Sequence, residues 1–173
     1  DLRWQWQGAL AGRALDVALG ANADRLLQHR RGYENFDAAG LLGVRGRLRR
    51  DERNRVGNTD QYAQAWWRLA PRWSLLAGLR HSQVTFDSRD GYITGSNPDD
   101  SGRVRHARTT PVAGLGFQVR EGLRLHLSSG RGFETPTFNE LAYRADGGAG
   151  LALDLRPATS RNLELGAKWR GAG

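Results

Sequence analysis

An all-β chain, an antiparallel up-and-down meander of about seven strands, is what this sequence predicts, and three observations carry that prediction. Apolar and polar residues alternate with a period of two in most of the regular stretches, which is the mark of strands with two unlike faces. The connections between those stretches alternate, short then long, along the whole chain. No apolar run reaches the about 18 residues that a membrane-spanning helix needs. Tight turns at one end of a meander and long loops at the other are the pattern of a transmembrane β-barrel wall, with its turns in the periplasm and its loops outside the cell. A soluble sandwich has less systematic loop lengths.

The elements follow in order. Leu2, Trp4, Trp6 and Gly8 alternate with Arg3, Gln5 and Gln7 in a short first strand, which a tight region from Gly8 to Arg13 ends. Leu15, Val17, Leu19, Ala21 and Ala23 form one face of a second strand reaching about His29. Alanine and leucine also favour helix, but the two-residue period and Gly20 point to strand. From Arg30 to Asn58 there is no sustained period and five glycines interrupt the chain, so this stretch reads as a long loop. Ala63, Ala65, Trp67 and Leu69 mark a third strand, Ala70-Pro71-Arg72 a turn, and Trp73, Leu75, Ala77 and Leu79 a fourth strand out to about Phe86. Asp87 to Ser101 is dense in turn residues and reads as loop. A fifth strand follows with Ala107, Ala113, Leu115, Phe117 and Val119 on one face, then the turn Arg120-Glu121-Gly122, a sixth strand from Leu123 to Arg131, and a last one with Leu163, Leu165, Ala167 and Trp169 on one side. Trp67 and Trp73 flank the Pro71 turn and Trp169 ends the last strand, where an interfacial aromatic girdle lies in a barrel; the competing reading places these rings in a core.

Composition narrows the choice. The 173 residues carry a formal net charge of +8, nearly all from arginine, with Lys168 the single lysine. So basic a chain calls for an anionic partner, whether nucleic acid, lipid phosphate or an acidic ligand. There is no cysteine, which removes disulfides, thiolate metal sites and thiol nucleophiles. The mean hydropathy is negative, as it is for barrel walls in which every second side chain faces water.

The most informative stretch runs from Ser129 to Gly166. The sixth strand gives way at Gly130 and Gly132; Thr135-Pro136 reads as the cap and first position of a short helical turn ending near Leu141; alternation resumes at Thr159. Gly130, Arg131, Gly132, Phe133, Pro136, Thr137, Glu140 and Leu141, followed after a glycine-rich gap by Pro157, Thr159, Ser160, Asn162, Glu164, Leu165 and Gly166, resemble two motifs of the late barrel strands of TonB-dependent outer-membrane receptors. The detailed match covers about a quarter of the chain, and the remainder agrees in style. The resemblance implies a barrel of about 22 strands around a plug, of which residues 1–173 would be a partial barrel domain without the plug. It implies the outer membrane of a Gram-negative bacterium, import of a ferric siderophore or a similarly scarce ligand, and coupling to the TonB complex through the plug. The long loops hold Tyr33, Phe36, Tyr92, Phe133, Phe138 and Tyr143 among arginines, a composition suited to an anionic, partly aromatic ligand. Arg131 and Tyr143 are the ligand-binding candidates; Phe133 and Phe138 read rather as packing at the barrel rim.

Nothing points to catalysis, a cofactor or a metal. Ser128 and Ser129 lack a nucleophile-elbow pattern, and His29, His81, His106 and His126 show no metal-binding spacing, with His126 expected opposite Gly116. Glu164 is expected to meet an arginine across the wet face. The basic run from Arg45 to Arg55 could grip nucleic-acid phosphates or the phosphates of the outer lipid leaflet, or could be a solvated loop with Asp51 and Glu52 as counterions. No aromatic stacking platform accompanies it, so no nucleic-acid partner is expected. The alternatives to the receptor reading are a self-contained outer-membrane barrel of about eight strands with a structural or adhesive role, and a soluble basic β-protein that binds nucleic acid.

Overall fold

The computed structural model describes residues 1–142, 144–145 and 150–171. Among them the chain forms seven strands, β1 (Leu2–Leu10), β2 (Arg13–Tyr33), β3 (Leu48–Ala70), β4 (Trp73–Asp90), β5 (Gly102–Arg120), β6 (Leu123–Glu134) and β7 (Ala158–Trp169), and one helical turn, α1 (Phe138–Leu141). The strands make a single sheet in sequential order, each antiparallel to the next. The two outermost strands, β1 and β7, each pair on one side only.

Connections at one end are two residues long. At Ala11-Gly12 both φ angles are positive, 52° and 69°, the turn geometry whose twist matches that of the strands it joins. At Glu121-Gly122 the glycine has φ 75°, and a β-carbon there would lie 2.6 Å from the Arg170 carbonyl oxygen, so no side chain fits. The connections at the other end span residues 34–47, 91–101 and 135–157.

Strand lengths depart from expectation where the chain leaves the turns behind. Of the stretch from Arg30 to Asn58 only residues 34–47 are loop: β2 continues to Tyr33 and β3 begins at Leu48, in register from Leu26↔Val56 to Gly32↔Arg50. Similarly β4 runs on to Asp90 and β5 starts at Gly102, so that loop is shorter than Asp87 to Ser101. Apart from Val56 on the inner face, the residues of these extensions are mostly polar on both faces. The hydrophobic period vanishes there, while the backbone ladder that holds the strands persists.

Register aligns the apolar residues in rows. Leu165, Leu127, Leu115, Leu75, Trp67 and Leu15 lie side by side; Ala113, Ala77, Ala65 and Val17 form the next row; Pro111, Leu79, Ala63 and Leu19 the row beyond. All are on one face, and Leu79, Leu127 and Leu165 are exposed. The aromatic row borders the turns, with Trp73 against Phe117 at 4.5 Å between ring centres. Trp73 and Trp169 are exposed rather than enclosed, which excludes the core reading for them and suits an interfacial girdle. Leu125, Leu165 and Trp169 likewise stand open on this outward face.

The opposite, inner face is polar near the turns and carries the one compact hydrophobic cluster among the described residues farther up. Phe86 is buried there with Leu141 and Leu151, flanked by Val56, Val84, Val104, Phe138 and Leu153. The described residues around α1 and Leu151–Leu153 therefore lie on the inner face as a strap. Phe138 meets Phe86 edge-on at 5.4 Å, the packing role expected of it. The Ala152 amide donates to the Leu141 carbonyl at 2.6 Å, tying the two limbs of the strap together.

Candidate functional site

Pro111 decides where a site forms. The β5–β6 ladder runs from Arg120↔Leu123 to Val112↔Gly130 and stops. Pro111 is the next residue of β5, and without an N–H it cannot extend a ladder on that side. β5 stays paired with β4 through Leu79↔Pro111, and β6 stays paired with β7 through Arg131↔Arg161 and beyond. The sheet thus splits into a seam, and a cavity of about 520 Å³ opens beside it.

Its floor is a carboxylate with all its acceptor directions used. Asp60 is 4% exposed and accepts from Arg80 through Nε at 3.1 Å and Nη2 at 2.9 Å, from Asn58 Nδ2 at 3.0 Å, and from the Ser82 hydroxyl. The bidentate grip fixes the plane of the Arg80 guanidinium, yet that side chain remains 58% exposed and presents its outer edge to the cavity. Arg131 lines the same cavity from β6, with Thr110, Phe133 and Thr135. The Arg80 guanidinium held by one carboxylate, with Arg131, hydroxyls and Phe133 also in the lining, makes a polar, partly apolar recess, chemistry suited to an anion with some apolar surface.

Of the two residues predicted to bind ligand, Arg131 is therefore in the cavity, while Tyr143 lies outside the described residues. Asp60, Arg80, Asn58 and Ser82 were not anticipated. A signal for them existed: a hairpin centred on Pro71 sets Asp60 opposite Ser82, with Arg80 on the diagonal. Some pairings correct the expectation. Glu164 meets no arginine among the described residues; His126 Nε2 lies 3.1 Å from its carboxylate, because His126 and Glu164 face each other diagonally across β6 and β7. His126 does sit opposite Gly116, as anticipated. Arginine–aromatic contact is also used within the protein itself, Arg45 stacking on Tyr33 at 3.8 Å. The basic run belongs largely to strand β3 instead of a loop; Glu52 does act as its counterion, toward Arg50 at 3.0 Å, whereas Asp51 turns to Arg31 of β2 at 3.3 Å and to His29.

The strap that borders the cavity is anchored at α1. The cap is Thr137, not Thr135, because only Thr137 has a glutamate three residues on. Its hydroxyl accepts from the Glu140 amide at 3.3 Å, and the Glu140 carboxylate takes the Thr137 amide at 2.7 Å. That amide, and then the Thr137 hydroxyl, hold the Glu140 carboxyl below the usual carboxylate range. A lowered folded-state pKa stabilises the cap fully above the free glutamate value of about 4.3 and loses that stabilisation as pH falls through the lower folded value. Hydrogen-exchange protection of the Glu140 and Leu141 amides is expected to fall once the pH drops below about 4, and Glu140→Gln is expected to flatten that dependence.

Comparison with known proteins follows the same lines. The family model described as TonB dependent receptor-like, beta-barrel matches residues 1–173. The crystal structure of the siderophore receptor PiuA from Acinetobacter baumannii is similar in fold, with a TM-score of 0.71 and 18% sequence identity over 95% of this chain. This chain spans 28% of the length of that one.

Proposed function

The chain belongs to the TonB-dependent receptor β-barrel family, and from that premise we propose that it supplies wall, loops and part of the ligand-facing surface of a receptor importing a ferric siderophore or a similarly scarce anionic ligand. The family consists of transport receptors rather than enzymes, and its barrels belong to the outer membrane of Gram-negative bacteria. Uptake would draw on the TonB complex through the plug of the whole receptor. The observation that supports the ligand class is the seam cavity, lined by Arg80, which Asp60 orients, and by Arg131 and Phe133. Capture there involves no covalent chemistry: the guanidinium groups balance ligand charge and the ring covers its apolar part.

Titration of the intact receptor with ferric siderophores, before and after Arg131→Ala or Tyr143→Ala, tests this reading. Loss of one charge-assisted hydrogen bond, about 1.5–3 kcal/mol, is expected to weaken binding at least tenfold. Unchanged affinity in both variants would remove these residues from the site.

A further inference from the structure

The outward face does not end with the apolar belt. Counting up the register from the aromatic row at Trp73, a band about 25 Å tall on strands tilted by about 45° takes about 10 or 11 residues. That reaches the row of Ala23, Thr59, Gln83 and Ala107. The very next outward rows are arginine-rich: Arg25 and Arg105 flank Gly57 and Thr85, then Arg55 and Arg103 flank Asp87, then Arg53 lies beside His29 and Arg89.

Carboxylates neutralise only part of this patch. Asp87 serves Arg103 at 2.6 Å and Arg89 at 4.0 Å, and Asp51 serves Arg31 and His29. Arg25, Arg53 and Arg55 have no ion-pair partner among the described residues. Arg53, Arg55, Arg89 and His29 border a shallow groove of about 460 Å³, and Leu27, 62% exposed, lies in the same groove. On β3, β4 and β5 the two faces differ here: Asn54, Phe86, Ser88 and His106 are buried on the inner face, while Arg53, Arg55, Arg103 and Arg105 are exposed on the outer one. The patch thus looks away from the cavity and the strap, toward whatever surrounds the barrel.

We infer that Arg25, Arg53 and Arg55 bind the phosphate groups of an anionic lipid in the outer leaflet. Three features select that occupant over other anions. The arginines begin in the row where hydrocarbon ends, the height of lipid headgroups. They point outward, whereas a diffusing ligand is taken from the mouth. The groove joins guanidinium forks, suited to phosphate oxygens, to an exposed leucine, so it accepts a headgroup with apolar chain beneath it. The inference rests on the transmembrane reading of the belt and is independent of what the receptor imports.

The test uses the intact receptor purified in detergent, incubated with bis-phosphorylated lipid A or with its dephosphorylated form, with bound lipid read by native mass spectrometry. The unaltered receptor is expected to retain the phosphorylated lipid preferentially, and the triple variant Arg25→Gln, Arg53→Gln, Arg55→Gln about tenfold less of it, as loss of charge-assisted bonds requires. The corresponding triple lysine variant is expected to lie between them. Siderophore affinity should be the same in all three, which separates this site from the cavity. Equal retention by the glutamine variant, equal retention of the dephosphorylated lipid, or complete displacement by millimolar inorganic phosphate would each overturn the inference, the last by marking a site for free phosphate. Should the triple variant lose its heat-modifiable mobility on gels, single glutamine substitutions are read instead, each expected to reduce retention by about threefold; no reduction in any of them overturns it as well.

Discussion

Arginine at position 65 is expected to destabilise the folded receptor in a bilayer by about 2–4 kcal/mol, the depth-dependent cost of a lipid-facing guanidinium near the midplane. Ala65 sits in the middle of the outward belt, between Val17 and Ala77 in its row. Its neighbour Gln64 faces the other way, toward Ala18 and Gly78, so Gln64→Arg adds one more polar side chain to a polar lumen and is expected to change stability by less than about 1 kcal/mol. Two adjacent substitutions of the same chemistry are therefore predicted to differ in effect because the pleat sends them to opposite solvents. Urea titration of the receptor folded into phosphatidylcholine vesicles measures both. Equal destabilisation would refute the assignment of the odd-numbered face of β3 to lipid.

The second large effect is expected at the strap. Leu141 has no exposed surface, and it closes the cluster of Phe86 and Leu151 with Phe138 alongside. Leu141→Ala removes the largest fully buried side chain among the described residues and leaves a void that Phe86, held in the sheet, cannot fill. About 2–5 kcal/mol is the usual range for such a truncation. Because this cluster packs the strap against the sheet, the loss is expected to appear locally, as release of segment 135–157, rather than as unfolding of the strands. Limited proteolysis of the intact receptor should show cleavage confined to this segment and faster by at least tenfold, with the detergent-resistant barrel retained. Thr137→Ala, which removes one side of the capping box, is expected to act in the same direction and more weakly.

The difference between what the sequence disclosed and what it concealed follows the boundary of the hydrocarbon. Within the belt, lipid on one face and water on the other impose a period of two, so Leu15 to Ala23, Trp73 to Leu79 and Leu123 to Leu127 are legible as strands with the correct faces. Above the belt the outer face is wet as well, and in Arg49 to Asn58 only Val56 marks the inner one; the backbone pairing with Asp24 to Gly32 is what reveals a strand. The site divides the same way. Arg131 was accessible through its motif, whereas the cluster of Asp60 with Arg80 depends on register between two strands. The strap escaped notice for a different reason: Leu141, Leu151 and Leu153 have no periodicity in common, and only the folded chain brings them to Phe86.

Pro111 has one further bearing. Below it, every strand from β2 to β6 is hydrogen-bonded on both sides, so the girth of the wall is set by how many strands it contains. Above it, β5 and β6 are already released from each other, and the edge beside them can spread without breaking a single inter-strand bond. A lone imino acid thereby separates the height at which the wall must keep its width from the height at which it is free to widen.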